Sequence, residues 1–541
     1  MAPSLGALAH DVLLEILEDL DYKGLMSCQA TCRRIRTVVA SSVSLQYIIE
    51  LAACGMLDGP RGTQRLDVTE RLRRLRLYDT AWRELHWTKE DKYPPLVGRR
   101  LPFIDGNMLI FLNLDQSGHT SGYTSHRIPS TLRGVEEQRL DFATKLPSLK
   151  RIVDASQDLI ISSGRSSYSS YHLRSLSSGD PHPLAHNNGV LDRTPERYGG
   201  VIIDIFEDLL LEVVMRVWGV EHIVWNWKTG VAEYKAVSLP SVLISSPTVY
   251  MIFPPEVEPP RGRYRARCFL DRNHLLVNAG GPNHDSKPVG IHILQFRTGP
   301  PPSRSRATSL TEGPTYVFLF PHFTPCLAFE TTVAAPWRTV DPLSPVPFYC
   351  DPSDRIFSVR TAWRAYDQGH HLSFHILAST FHSYLRSHPF PRGSTWIDVP
   401  WDKWGPMGCR VTQRVPSITE ACMRGTKILR IDHDPHHRSK PAVDILDYHP
   451  LRVARALMLL RSGATPVTVF RGSTLVEPGA AFDGFATMLP CISTNVPLPD
   501  ELADAMLRGA QCQAYLCENG VVLMQVELRG QRIKDTWTYT I

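Results

Sequence analysis

Near Val97 the chain changes its period, and that change limits what it can fold into. Before it, apolar residues recur at the three-and-four spacing of one helix face. After it, helical spacing fades, and Pro, Gly and short β-rich runs take over. Helical spacing cannot put one apolar face on a strand, so helices come first and strands follow. The expected class is α+β and multidomain. A helical docking module occupies residues 1–45, a helical neck 46–92 and a large all-β body 97–541.

The docking module centres on Leu8 to Val39. Val12, Leu13, Ile16, Leu17 and Leu20 share one face of a first helix, with Asp11, Glu15, Glu18 and Asp19 on the other side. Acids at the start suit the positive end of the helix dipole. Asp21-Tyr22-Lys23-Gly24 reads as a break, because Asp favours turns and Gly accepts left-handed geometry. A second periodic run follows in Leu25, Cys28, Cys32, Ile35 and Val39, and Arg33, Arg34 and Arg36 suit its C-terminal end. A module this small is marginal alone. Some of its apolar surface must be covered by a partner chain or by the chain's own body.

The stretch resembles an F-box at Leu8, Val12, Ile16, Leu20, Asp21, Leu25, Cys28, Cys32 and Arg33, with Asp11 where the pattern often has Glu. It departs at Ala9, Thr31 and Ile35, where the pattern has Pro, an apolar residue and Trp. The resemblance implies a face that packs on the small adaptor subunit of a cullin–RING ubiquitin ligase. The residues expected to make that contact are Leu8, Val12, Leu13, Ile16, Leu17, Leu20, Leu25, Cys28 and Cys32.

Ser44 to Met56 reads as a further helix ending near Gly55 or Gly59. Leu66 to Trp87 reads as a longer one, capped by Asp67 or Thr69, with Leu72, Leu75, Trp82 and Leu85 buried. Similar helices follow the F-box in many fungal F-box proteins. Between Asp58 and Arg100 there are 11 Lys/Arg and 7 Asp/Glu, which holds most of the chain's net charge of +5. A solvated helix surface accounts for that, as does a patch for an acidic partner. No aromatic-interleaved basic groove points to nucleic acid.

In the body, the expected strands include Met108–Leu114, Leu209–Val217, Ile223–Trp227, Ile291–Phe296, Leu372–Ala378, Lys427–Ile431 and Val521–Val526. Asn519-Gly520 marks a hairpin. A loose repeat of polar residue, Ser/Thr and Gly recurs at Gly118, Gly179, Gly230 and Gly299. Trp225-Asn226-Trp227-Lys228-Thr229-Gly230 looks like the strand-and-turn ending of a WD-like blade. A β-propeller-like body of roughly six to eight blades fits the length, and a pair of β-sandwiches would show many of the same strands. Residues 162–171, 254–263 and 299–309 read as loops.

No phosphate-binding loop, nucleophile elbow or zinc-helix motif occurs. His433-Asp434-Pro435-His436-His437 is the densest ligand-like cluster, but it lacks a second arm. Eleven scattered Cys without a C-x-x-C pair fit reduced thiols rather than a disulfide frame. No run approaches a membrane-spanning length, and no secretory leader or Asn-x-Ser/Thr sequon occurs, so the expected location is cytoplasmic, nuclear or both. Trp396, Trp401 and Trp404 form the richest candidate partner patch, with blade packing as the alternative. The expectation is a non-catalytic substrate receptor without cofactor or metal. It would link an unknown target to the adaptor and, through it, to the cullin. The alternatives are a non-ligase scaffold using the same docking face, and an enzyme with its site in a central cleft.

Overall fold

The computed structural model describes residues 8–59, 66–93, 103–114, 120–143, 148–164, 170–192, 200–216, 219–238, 267–279, 290–296, 315–321, 329–334, 346–365, 368–390, 396–414, 423–432, 441–462, 468–476, 484–527 and 532–541. The cluster at 433–437, Gly118, Gly299 and the loop readings at 254–263 and 299–309 lie outside them.

Four short helices open the chain: α1 (His10–Glu18), α2 (Tyr22–Thr31), α3 (Arg33–Ser41) and α4 (Val43–Ala53). They close on a core of Leu13, Leu17, Leu25, Ile35, Val38, Val39 and Leu45. The single periodic run expected over 25–39 is two helices, because Cys32 adopts an extended conformation between them. Gly24 is not the break; it lies in the first turn of α2 and donates its N–H to the capping Asp21 carboxylate at 2.8 Å. The arginines therefore begin α3 rather than end a helix. Arg36 donates across the break to the Gln29 carbonyl in the last turn of α2, and Arg34 donates to the Leu8 carbonyl at 2.5 Å. The Arg36 charge thus complements the C-terminal end of the preceding helix, while Arg34 fastens the segment that leads into α1.

Helix α5 (Val68–Glu84) follows, capped by Asp67, which accepts from the Glu70 N–H at 2.8 Å, and stopped by Leu85 in the left-handed region at φ 53°. It is not a free-standing neck. Leu72, Leu75, Tyr78 and Trp82 are buried in one core with Phe348, Leu429, Ile431, Tyr539 and Ile541 of the body. The chain then runs into the strand Lys89–Tyr93, which belongs to the body's last sheet.

The body is a seven-bladed β-propeller. The first three blades are four-stranded meanders over residues 103–143, 148–192 and 200–238. Blade 4 spans 267–319 and gains Trp396–Val399 as a fifth, parallel strand. Blade 5 spans 329–414, with α6 (Ala378–Ser387) and α7 (Trp401–Gly408) inserted before its last strand. Blade 6 spans 423–496, with α8 (Pro450–Arg461) inserted in the same place. Helix α9 (Asp500–Leu507) leads into blade 7, built from Gln511–Leu516, Gly520–Glu527, Arg532–Thr540 and, at its outer edge, Lys89–Tyr93.

A blade packs on both of its neighbours, so both faces of its strands are buried. Leu209, Leu210 and Leu211 show the result. Leu210 points into the core shared with blade 2, beside Ile161, Leu173 and Trp227. Leu209 and Leu211 point into the core shared with blade 4, beside Phe269 and Leu275. Continuous apolar runs replace the alternation of a one-sided sheet. The buried Glu212 among them accepts from the Tyr171 hydroxyl and the Trp225 indole, each at 2.8 Å. The WD-like ending closes as a tight turn: Asn226 Oδ1 accepts from the N–H groups of Lys228 and Thr229, and Gly230 takes φ +71°.

The ring is closed by the early strand. Removing residues 1–41 is expected to leave the unfolding midpoint of the body within a few degrees of the intact chain. Removing residues 1–93 strips α5 and the outer edge of blade 7, and should lower the midpoint and promote aggregation through the bared Arg532–Thr540 edge. Calorimetry with light scattering on the two shortened chains checks this.

Candidate functional site

The docking helices divide the expected contact residues in three. Leu13, Leu17 and Leu25 are wholly buried in the module's own core and have no surface to offer. Val12 and Ile16, one turn apart on α1, are 45% and 38% exposed. Leu8, Leu20, Cys28 and Cys32 are partly buried at the margin. Met26 on α2, which the periodic reading passed over, is 42% exposed. Splitting the 25–39 run at Cys32 would have found it, because α2 alone then shows Tyr22 and Met26 one turn apart. The four helices thus seal a core and still leave aliphatic groups outward on α1.

Of the tryptophan patch, Trp401 and Trp404 do not form a surface. Trp404 is 4% exposed, donates its indole N–H to the Leu319 carbonyl at 3.1 Å, and packs edge-on against Phe318. Trp401 is half-buried between Phe374, Phe485 and Trp404. Trp396 pairs with Thr315 in the fifth strand of blade 4, and its side chain is not described. The pattern was aromatic core between blades 4 and 5. Trp404→Ala should cost about 3–5 kcal/mol of stability. Urea unfolding measures that cost, while binding at α1 should be unchanged.

Where the docking helices meet the body, buried charges assemble. Arg452 on α8 donates to Asp447 at 3.0 Å and to the Cys54 carbonyl at the end of α4. Arg455 donates to Glu50 of α4 at 2.6 Å and to Asp79 of α5 at 3.4 Å. The Lys427 ammonium lies over the Trp82 ring, 4.6 Å from its centre, and burial, followed by Arg452, brings it down to about 8. Burial pushes the Asp447 carboxyl up, but Arg452, Lys427 and His449 together outweigh that and hold it well below the usual carboxylate range. A carboxyl held below its unfolded value stabilises the fold above about pH 4, and that contribution is lost as pH falls further. The thermal midpoint should therefore fall steeply below pH 4. Asp447→Asn should start lower at pH 7 and show a shallower fall, read by thermal denaturation across pH 2–7.

Among the described residues, no group of three or more His, Cys, Asp and Glu could hold a metal ion, and no helix is long and apolar enough to cross a membrane.

With this geometry in place, the comparisons with known proteins fall on the docking helices. Residues 6–47 match the F-box domain. The chain carries an F-box followed by a seven-bladed propeller. F-box proteins are in general non-catalytic adaptors, and an F-box implies a small adaptor subunit as partner. No curated protein matches the chain. Among solved structures, the chain is similar to an uncharacterized protein, lmo1340, from Listeria monocytogenes EGD-e. That likeness has 10% identity and a TM-score of 0.25, over 64% of this chain and 90% of that one. It is also similar to the dihydro-heme d1 dehydrogenase NirN in complex with DHE. Here identity is 10% and the TM-score 0.23, over 75% of this chain and 68% of that one. At these scores neither likeness bears on fold or function.

Proposed function

We propose that this chain is a substrate receptor of a cullin–RING ubiquitin ligase. The F-box binds the adaptor subunit, the cullin joins through the adaptor, and the propeller holds a target protein. The observation that carries the reading is the pair Val12 and Ile16, left outward on the F-box helix α1 above a core that is already complete. Covering each of these half-exposed side chains contributes roughly 1 kcal/mol. Leu8, Leu20, Cys28, Cys32 and Met26 extend the contact, and Leu13, Leu17 and Leu25 hold its shape from beneath.

The receptor itself makes and breaks no bond. It raises the local concentration of the target's lysines near the charged conjugating enzyme, to the millimolar range that tethering provides. In each meander, the turn between strands one and two and the turn between strands three and four share one face of the ring. Tyr78 donates to the Glu518 carbonyl and Arg133 to the Phe348 carbonyl on that face, which is where α4, α5 and α8 gather. The target would then bind the opposite face, in an intracellular compartment.

Val12→Glu with Ile16→Glu should abolish adaptor binding while leaving the thermal midpoint within about 1 °C, because both positions already face solvent. Leu13→Glu should unfold the module instead. Pull-down of adaptor and cullin with the full-length chain and each variant provides the test. Undiminished adaptor capture by the folded double variant contradicts the proposal. Capture of adaptor without cullin would favour a non-ligase scaffold.

A further inference from the structure

Helix α4 belongs to two cores at once. Leu45, near its start, lies in the F-box core. Tyr47, Leu51 and the capping Cys54 lie in the core shared with the propeller. The F-box match ends at residue 47, inside this helix, so the last turns of α4 are gripped by the body. A continuous hydrogen-bonded helix transmits its angle from one core to the other.

The grip comes from an insertion in the propeller. Helix α8 sits between the third and fourth strands of blade 6, and the His449 imidazole caps it by accepting from the Arg452 N–H at 3.3 Å. Arg452 and Arg455, three residues apart, project on one side of α8. Arg452 ties blade 6, through Asp447, to the Cys54 carbonyl that ends α4. Arg455 spans Glu50 on α4 and Asp79 on α5, and so holds both helices from one point. A propeller needs none of this to close its ring: among the described residues, blades 1, 2 and 3 are complete without inserted α-helices.

We infer that α8 is a buttress by which the propeller sets the angle of α4, and through α4 the orientation of the F-box relative to the body. Arg452 and Arg455 are positioning residues that act through α4. The joint stands on geometry alone; its consequence for ubiquitin transfer rests on the receptor reading above.

The test uses the full-length chain with a fluorophore pair placed through non-natural side chains at the exposed Ala40 and Leu184. Arg455→Glu sets a third carboxylate against Glu50 and Asp79. The distribution of distances between the fluorophores should widen at least about twofold. The exchange Glu50→Arg with Arg455→Glu should narrow it again. Adaptor affinity should change less than twofold throughout, because α1 is untouched. An unchanged width in Arg455→Glu overturns the inference, and so does a widening that the exchange does not reverse. Failure of adaptor binding in the native chain would count against the receptor reading and leave the joint standing.

Discussion

The burial of the C-terminal half of α4 against the propeller is the contact on which this architecture depends. A four-helix module of this size has too little core to be stable by itself. It is stable here because Tyr47, Leu51 and Cys54 extend its last helix into a core that also contains Phe348, Leu429 and Tyr539. The Tyr47 hydroxyl donates to Asp58 at 2.9 Å, and Arg71 of α5 donates to the same carboxylate at 2.7 Å. The short ladder of Met56–Asp58 with Phe348–Cys350 seals the seam. Because this half of the module is secured from below, α1 can leave Val12 and Ile16 uncovered.

Two different kinds of apolar surface result. The groups that look inward, Leu13, Leu17 and Leu25, decide whether the helices form at all. Under the receptor reading, the groups that look outward meet the adaptor. A periodic pattern cannot separate the two, because an i, i+4 spacing places both on neighbouring strips of one helix. The same ambiguity explains the tryptophans. Trp401 and Trp404 have the composition of an interface anchor, and they are instead the aromatic packing between blades 4 and 5.

Much of the local structure was legible in the residues. Met108–Leu114 is a strand over those same bounds, and Asn519-Gly520 turns between Leu516 and Val521, which pair directly. Asn519 also donates its amide to the Ile128 carbonyl and accepts from Arg133, so the turn residue fastens blade 7 to blade 1. Long-range pairings were not legible. Lys89–Tyr93 reads as charged neck, with Glu90 and Asp91 between two lysines, and nothing local says that it pairs with Arg532–Thr540 some 450 residues on. The blade count was blurred because insertions in blades 5 and 6 spoil any fixed period. The Arg455–Glu50 contact crosses 405 residues and left no trace in spacing.

The central claim is that an F-box secured from beneath by the propeller offers the outer strip of α1 to an adaptor. Hydrogen–deuterium exchange of the full-length chain, with and without saturating adaptor subunit, tests it most directly. Slower exchange across α1 and α2, with the seven blades unchanged, is the expected result. Binding that protects a blade instead, or no protection of α1 at saturation, would contradict it.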